Sequence, residues 1–278
     1  ERILRAFTLK VSVAATDIRD SFTKIIKLDT VFAKAYYANS VRAVKPQMNT
    51  DGIIEISRGR HPLINPKTVV PTDVNLGKNF DLLFITGPNT GGKTVALKLV
   101  GLLTAMAMSG IFVPCAEAVL NIFDEVYCDI GDEQSIEQSL STFSSHIANI
   151  SGFIEKLNAN SLVLLDELGA GTDPTEGAAL AMSIAQYIKD RGAKAIITTH
   201  YNELKEYAVV TPRAENASMD FDPLTYSPTY RLIVGTPGVS NALLIAGKLG
   251  LPAEIVQRAK EGIAEGKLDF ENVISSME

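Results

Sequence analysis

Gly87-Pro88-Asn89-Thr90-Gly91-Gly92-Lys93-Thr94 fits the pattern of a glycine, four residues, then Gly-Lys-Thr. An apolar run, Leu82–Thr86, precedes it, and a helical pattern over Lys93–Ser109 follows. Strand, glycine-rich turn and helix in that order form the setting in which such a loop cradles phosphate. Gly87, Gly91 and Gly92 let successive N–H groups turn inward around phosphate oxygens without a Cβ in the way. Pro88, Asn89 and Thr90 complete the loop, and the helix behind it directs its positive end at the same anion. Lys93 is expected to bridge the β- and γ-phosphates of ATP, and the Thr94 hydroxyl to ligate Mg²⁺. The plain alternative is a turn followed by a surface lysine; the flanking strand and helix weigh against it.

A second signal lies downstream. Ser161-Leu162-Val163-Leu164-Leu165-Asp166-Glu167 is an apolar run that ends in two acids. A buried strand would deliver Asp166 beside the metal, partly through water, and leave Glu167 facing the γ-phosphate, where it can orient or deprotonate a water. Alone the pair is a common strand end; after a phosphate loop it reads as its catalytic complement. The next stretch, Leu168 to Gly177, is a Gly/Pro-punctuated loop before a helix. Lys194–Thr199 is another β-run and ends at His200. That histidine is either a local hydrogen-bonding residue or, at the carboxyl edge of the same sheet, a γ-phosphate contact. Ser141-Thr142-Phe143-Ser144-Ser145-His146 opens a helix with the stripe Phe143, Ile147, Ile150, Ile154, Leu157. Its serines can be N-caps, or hydroxyls that meet a phosphate held by another subunit.

Outward from these motifs, β-rich runs are expected at Gly52–Ile56, Phe123–Cys128 and Tyr230–Val234 as well, and helices at Phe143–Leu157, Gly177–Asp190, Asn241–Leu249 and Glu254–Lys267. Strands alternating with helices imply an α/β fold with a mainly parallel sheet covered on both faces. The first forty residues differ. One apolar stripe (Leu4, Phe7, Val11, Ala14, Ile18, Phe22, Ile25) and a second stretch from Leu28 to about Val41 predict helices with little core of their own, ended by Lys45-Pro46.

Charge sorts the partners. With 26 Lys+Arg against 32 Asp+Glu in 278 residues, the chain is no polycation, so nucleic-acid binding over its whole surface is excluded. Residues 1–60 nevertheless hold 11 basic and 6 acidic side chains, while the remainder is acidic. Cys115 and Cys128 suit a structural role in a reducing cytoplasm, and no apolar run is long enough to span a membrane. The chain opens on Glu1 rather than Met, which points to a piece of a longer protein.

The motif order (phosphate loop, Ser-rich helix start, acid pair, Gly-rich loop, His) resembles the ATP-binding-cassette class of ATPases, with Ser141-Thr142-Phe143 where that class has Leu-Ser-Gly-Gly-Gln. Gly87-Pro88-Asn89, together with Arg60-His61-Pro62 upstream, is similar to the MutS family. The long blocks from Asp129 to His146 and from Asp166 to Gly177 look like its second bacterial branch, and the likeness covers the whole chain.

The resemblance implies a P-loop ATPase of the cassette/MutS type. The end of a helical lever domain would occupy residues 1–48, the ATPase domain 49–266, and the start of a coiled coil 267–278. It implies a homodimer in which Ser141 reaches across to the γ-phosphate on the other subunit's Lys93, Asp173 and its loop couple the two sites, and Asn89 and His200 face the nucleotide. Adenine would lie near His61, Val69 and Val70, without the aromatic that MutS proper stacks there. Gly238-Val239-Ser240-Asn241-Ala242 has Val where the family has Arg. Phe123-Asp124-Glu125 and Phe153-Ile154-Glu155 match the mismatch-reading Phe-x-Glu only by coincidence, since both lie in the expected ATPase core. The branch is associated with suppressing recombination on branched DNA and with splitting collided ribosomes, and carries a nuclease domain beyond this chain's last residue. Two other readings stand beside this one. A transport or chromosome-maintenance cassette lacks support from the absent Leu-Ser-Gly-Gly-Gln. A non-hydrolysing, nucleotide-gated module is disfavoured by retention of Lys93, Thr94, Asp166 and Glu167.

Overall fold

The computed structural model describes residues 1–87, 91–131, 142–222, 225, 227–238, 243, 246, 247 and 250–262. Helices α1 (Arg2–Val13) and α2 (Ala15–Ser40) come first. Strands β1 (Gln47–Asn49), β2 (Ile54–Gly59), β3 (Thr72–Leu76) and β4 (Leu82–Thr86) follow, then α3 (Lys93–Met108), β5 (Glu117–Asn121) and β6 (Glu125–Asp129). After α4 (Thr142–Phe153) come β7 (Ser161–Leu165), α5 (Pro174–Asp190), β8 (Lys194–Thr199), α6 (Asn202–Val210), β9 (Ala214–Phe221) and β10 (Pro228–Val234). Residues 253–262 are helical.

Six strands form the main sheet in the order β10-β9-β4-β8-β7-β6. Every neighbouring pair in it is parallel except β10 with β9. The alternation of side chains along each strand explains why β4, β7 and β8 are apolar at nearly every position: both faces are covered. Leu83, Ile85, Leu162, Leu164 and Ile196 face α3, while Leu82, Phe84, Val163, Leu165 and Ile197 face α4, α5 and α6. Helix α3 is apolar almost all round because it is enclosed: Leu97, Leu99, Val100 and Leu103 are buried between this sheet and a smaller one.

That smaller sheet, ordered β1-β5-β2-β3, is a departure from the sequence reading. Its strands β1, β3 and β5 carry few β-branched residues and too many polar ones to stand out; Ile54, Ile56, Val74, Leu76 and Leu120 nonetheless pack inward over α3. Strand β9 and helix α6 also lack a signal in the sequence, since Ala-Glu-Asn-Ala-Ser-Met-Asp-Phe has no strand-like composition and α6 buries only Leu204 and Ala208. In the N-terminal segment the helix break falls at Ala14, where φ is -94° and ψ 5°, and α2 then runs unbroken through the expected junction near Leu28. No side chain of either helix is buried. From α2, Lys34 Nζ donates to the Ser109 carbonyl at 2.7 Å, and just past its end Arg60 donates to the Val41 and Arg42 carbonyls.

Phe123 and Phe153 are both core residues, at 2% and 6% exposure, so neither Phe-x-Glu is placed to stack on a base. Cys115 is buried, with its thiol pushed up to about 11 by burial, while Cys128 is exposed. Among the described residues, no helix is long and apolar enough to cross a membrane.

Candidate active site

Strands β4, β7, β8 and β6 end at one edge of the main sheet, and the candidate residues gather there because parallel strands present their carboxyl ends together. Gly87 follows β4. Gly92, with φ +94°, turns the chain into α3, a conformation in which a Cβ would be strained. Pro88, Asn89 and Thr90 lie outside the described residues.

Lys93 is the first residue of α3, and its side chain is almost fully buried at 1% exposure. Its ammonium donates to the Gly87 carbonyl at 2.5 Å and towards the Thr199 carbonyl at 3.4 Å, tying the loop to the end of β8. Burial pulls its pKa below the ordinary lysine value; Glu167 and Asp166 oppose that pull, and Lys205 adds to it. The group is a cation held in a partly desolvated place beside two carboxylates.

The acid pair follows β7. Asp166 donates its N–H to the Asp129 carbonyl at 2.8 Å and accepts the Thr198 hydroxyl on Oδ1 at 2.5 Å. The same hydroxyl oxygen accepts the N–H of Glu167 at 2.8 Å. Glu167 sits at φ +50°, a conformation that non-glycine residues avoid, in a turn tied by its own bond to Thr198, by the Leu168 N–H to the Thr198 carbonyl and by the Ala170 N–H to the Glu167 carbonyl. Sequence reasoning does not single out Thr198; its one signal is that β8 ends in two hydroxyl residues.

A cleft of about 430 Å³ is lined by Thr94, Lys98, His146, Asp166, Glu167 and Gly171, among others. Thr94 and Asp166 therefore face one space. With Oδ1 taken by Thr198, Asp166 keeps Oδ2 for a ligand, a donor set that fits Mg²⁺ shared with phosphates.

His200 stands just past β8, next to the Thr199 whose carbonyl takes the Lys93 hydrogen bond, and its ring lies 4.8 Å from that of Tyr201. It is at the same sheet edge but does not line the cleft. Ser141 lies outside the described residues, as do Val239 to Ala242. Gly238 is described, and its N–H reaches the Thr86 hydroxyl at 2.7 Å, just before the phosphate loop.

His61 lines a second, largely apolar pocket of about 300 Å³ beside the start of α3, together with Val69, Val70, Gly92, Met219 and Tyr230. Burial and the nearby Lys98 lower the His61 pKa, which favours the neutral ring. Tyr230 supplies an aromatic that motif reading cannot place. It comes from β10, more than 130 residues after Gly92 by number, with φ +60° at a register shift between Pro228 and Leu232. A Cβ on Gly92 would lie 3.2 Å from its ring.

The loop after the acids is fixed by close backbone packing. A Cβ on Gly177 would lie 2.4 Å from the Gly169 carbonyl oxygen and 2.8 Å from the Tyr201 hydroxyl, which itself donates to Gly169 at 2.9 Å. Gly177→Ala is therefore expected to lower stability by about 1–3 kcal/mol, read as a lowered unfolding midpoint in urea. Asp173 caps α5 by accepting the N–H groups of Thr175 and Glu176.

The family model described as MutS domain V matches residues 83–266. Proteins named Endonuclease MutS2 from Clostridium acetobutylicum, Caldanaerobacter subterraneus subsp. tengcongensis and Shouchella clausii are 52%, 53% and 53% identical over 279 aligned positions. Those alignments cover 100% of this chain but only 35%, 35% and 36% of the relatives, so the chain spans about a third of their length. A domain V match over residues 83–266 and a likeness to MutS2 proteins along the whole of this chain show the same thing: the chain belongs to the MutS family.

Proposed function

We propose that this chain is an ATP-hydrolysing motor region, and the observation that carries the reading is the shared cleft of Thr94, Asp166 and Glu167 at the sheet edge that also holds the buried Lys93. Lys93, released from the Gly87 carbonyl, would pair with the β- and γ-phosphates; Gly87 to Thr94 would wrap them with N–H groups. Thr94 and Asp166 would hold Mg²⁺, which when bound neutralises charge on the phosphates. Glu167, its backbone fixed by Thr198, would orient the attacking water and take its proton. Adenine would enter the pocket of His61 and Val69 and stack on Tyr230.

Tyr230→Ala is expected to weaken ATP binding about 3- to 10-fold, the size of one aromatic stacking contact, and to leave tripolyphosphate binding unchanged. Equilibrium titration of both ligands makes the comparison. Equal loss for both would remove Tyr230 from the base site.

Ser141 and His200 are assigned to the γ-phosphate, Ser141 from the second subunit of a homodimer. ATP should then drive assembly: in sedimentation, Glu167→Gln with ATP should run as a dimer and without it as a lighter species. One sedimentation coefficient under both conditions would exclude the shared site. We assign contacts with branched DNA or ribosomes, and any nuclease activity, to parts of a longer cytoplasmic protein, in keeping with relatives that bear the word endonuclease and are about three times as long.

A further inference from the structure

Strand β6 ends at Asp129, paired with Leu165 of β7 and so one strand away from the acid pair. The Asp129 carbonyl accepts the Asp166 N–H, which locks the two strand ends together. Its side chain, 6% exposed as a residue, turns to α4. Oδ2 lies 2.7 Å from His146 Nδ1, and Oδ1 accepts the Asn149 amide at 2.9 Å. The same amide donates to the Cys128 carbonyl at 3.1 Å. His146 is thus held by a carboxylate that is itself held on both oxygens and through its main chain. It lines the cleft that Thr94, Asp166 and Glu167 share.

Burying a carboxylate is costly unless each oxygen is partnered. Here the partners also orient an imidazole. A carboxylate at Nδ1 places a hydrogen there, so that in the neutral ring Nε2 is the nitrogen that carries the lone pair, the arrangement by which carboxylates set the tautomer of working histidines.

Resting on the ATPase reading above, we propose that His146 is a second catalytic residue, whose Nε2 accepts a hydrogen bond from the attacking water while Glu167 accepts the other. Two acceptors fix the direction of the water's lone pair towards Pγ. The water oxygen forms the bond to Pγ as the bond from Pγ to the β,γ-bridging oxygen breaks, its electron pair leaving with ADP. Glu167 takes one proton; the hydrogen held by His146 stays on the product phosphate. Asp129 and Asn149 touch no reacting atom and are positioning residues.

The test compares His146→Ala, His146→Gln and Asp129→Asn in the full chain, reading kcat, ATP affinity and thermal midpoint separately. His146→Ala should lower kcat about 10- to 100-fold with ATP affinity within twofold, as orienting partners do. His146→Gln, which keeps a side-chain acceptor, should recover part of the loss. Asp129→Asn should resemble His146→Ala, and the double variant should be no slower than the slower single one. A His146→Ala kcat within twofold of the unsubstituted chain overturns the assignment. So does an equal fall in ATP affinity and kcat for all three variants, which marks a structural role. If the unsubstituted chain releases no phosphate, the ATPase reading itself fails and this assignment with it; if it does and Glu167→Gln does not, an unaffected His146→Ala sinks only His146.

Discussion

Lys93→Met is expected to weaken ATP binding about 30- to 1000-fold, equivalent to about 2–4 kcal/mol, without destabilising the nucleotide-free chain. The two halves of that result have one cause. The ammonium is buried and, among the described residues, donates to the Gly87 and Thr199 carbonyls, and burial holds its pKa below 10.5 despite Glu167 and Asp166. A folded-state pKa below the unfolded one means that folding disfavours the charge. At all pH values below the folded pKa the charged lysine therefore subtracts from stability, and stability rises as pH climbs from that value towards 10.5. Methionine fills similar volume without the charge. The thermal midpoint without nucleotide should be unchanged or higher, and the alkaline rise should shrink. Phosphates offset the burial in the native chain, so ATP should raise the midpoint of the native protein and not of the variant. A calorimetric scan with and without ATP reads both.

Glu167→Gln should lower turnover about 100- to 10,000-fold while ATP affinity stays the same or tightens. Gln preserves size and leaves the N–H bond to Thr198 in place, so the strained φ of +50° is unaffected. What it loses is the capacity to take a proton, together with a negative charge near Lys93 that competes with phosphate. Single-turnover phosphate release and equilibrium binding separate the two effects. Equal loss of both would mark Glu167 as a folding residue rather than a base.

Much of this site is legible in the amino-acid sequence. The phosphate loop needs specific residue types at fixed spacing, and the apolar runs of β4, β7 and β8 need both faces covered, so Lys93, Thr94, Asp166 and Glu167 fall on strand ends and a helix start. Less legible are features that depend on distant pairing. The small sheet depends on β5 crossing to lie between β1 and β2, and no local pattern in Glu-Ala-Val-Leu-Asn announces it. Tyr230 reaches the apolar pocket beside α3 through a bulge in an antiparallel edge strand, and bulges have no period. Thr198 and Asp129 act through hydrogen bonds to neighbouring strand ends, so their roles follow from strand order β8-β7-β6 rather than from spacing. At the N-terminus the stripe is visible and its break is not, because Ala14 is a good helix former and nothing in its type marks a stop.

Whether this chain is a motor is decided by phosphate release from the unsubstituted chain and from Glu167→Gln, side by side in Mg²⁺ and ATP over a range of protein concentrations. The unsubstituted chain should release phosphate steadily, at a rate per chain that rises with concentration as shared sites form, and the variant should lose nearly all of it. No release above buffer from the unsubstituted chain, or equal release by the two, would mean that the cleft of Thr94, Asp166 and Glu167 does not hydrolyse ATP in this way.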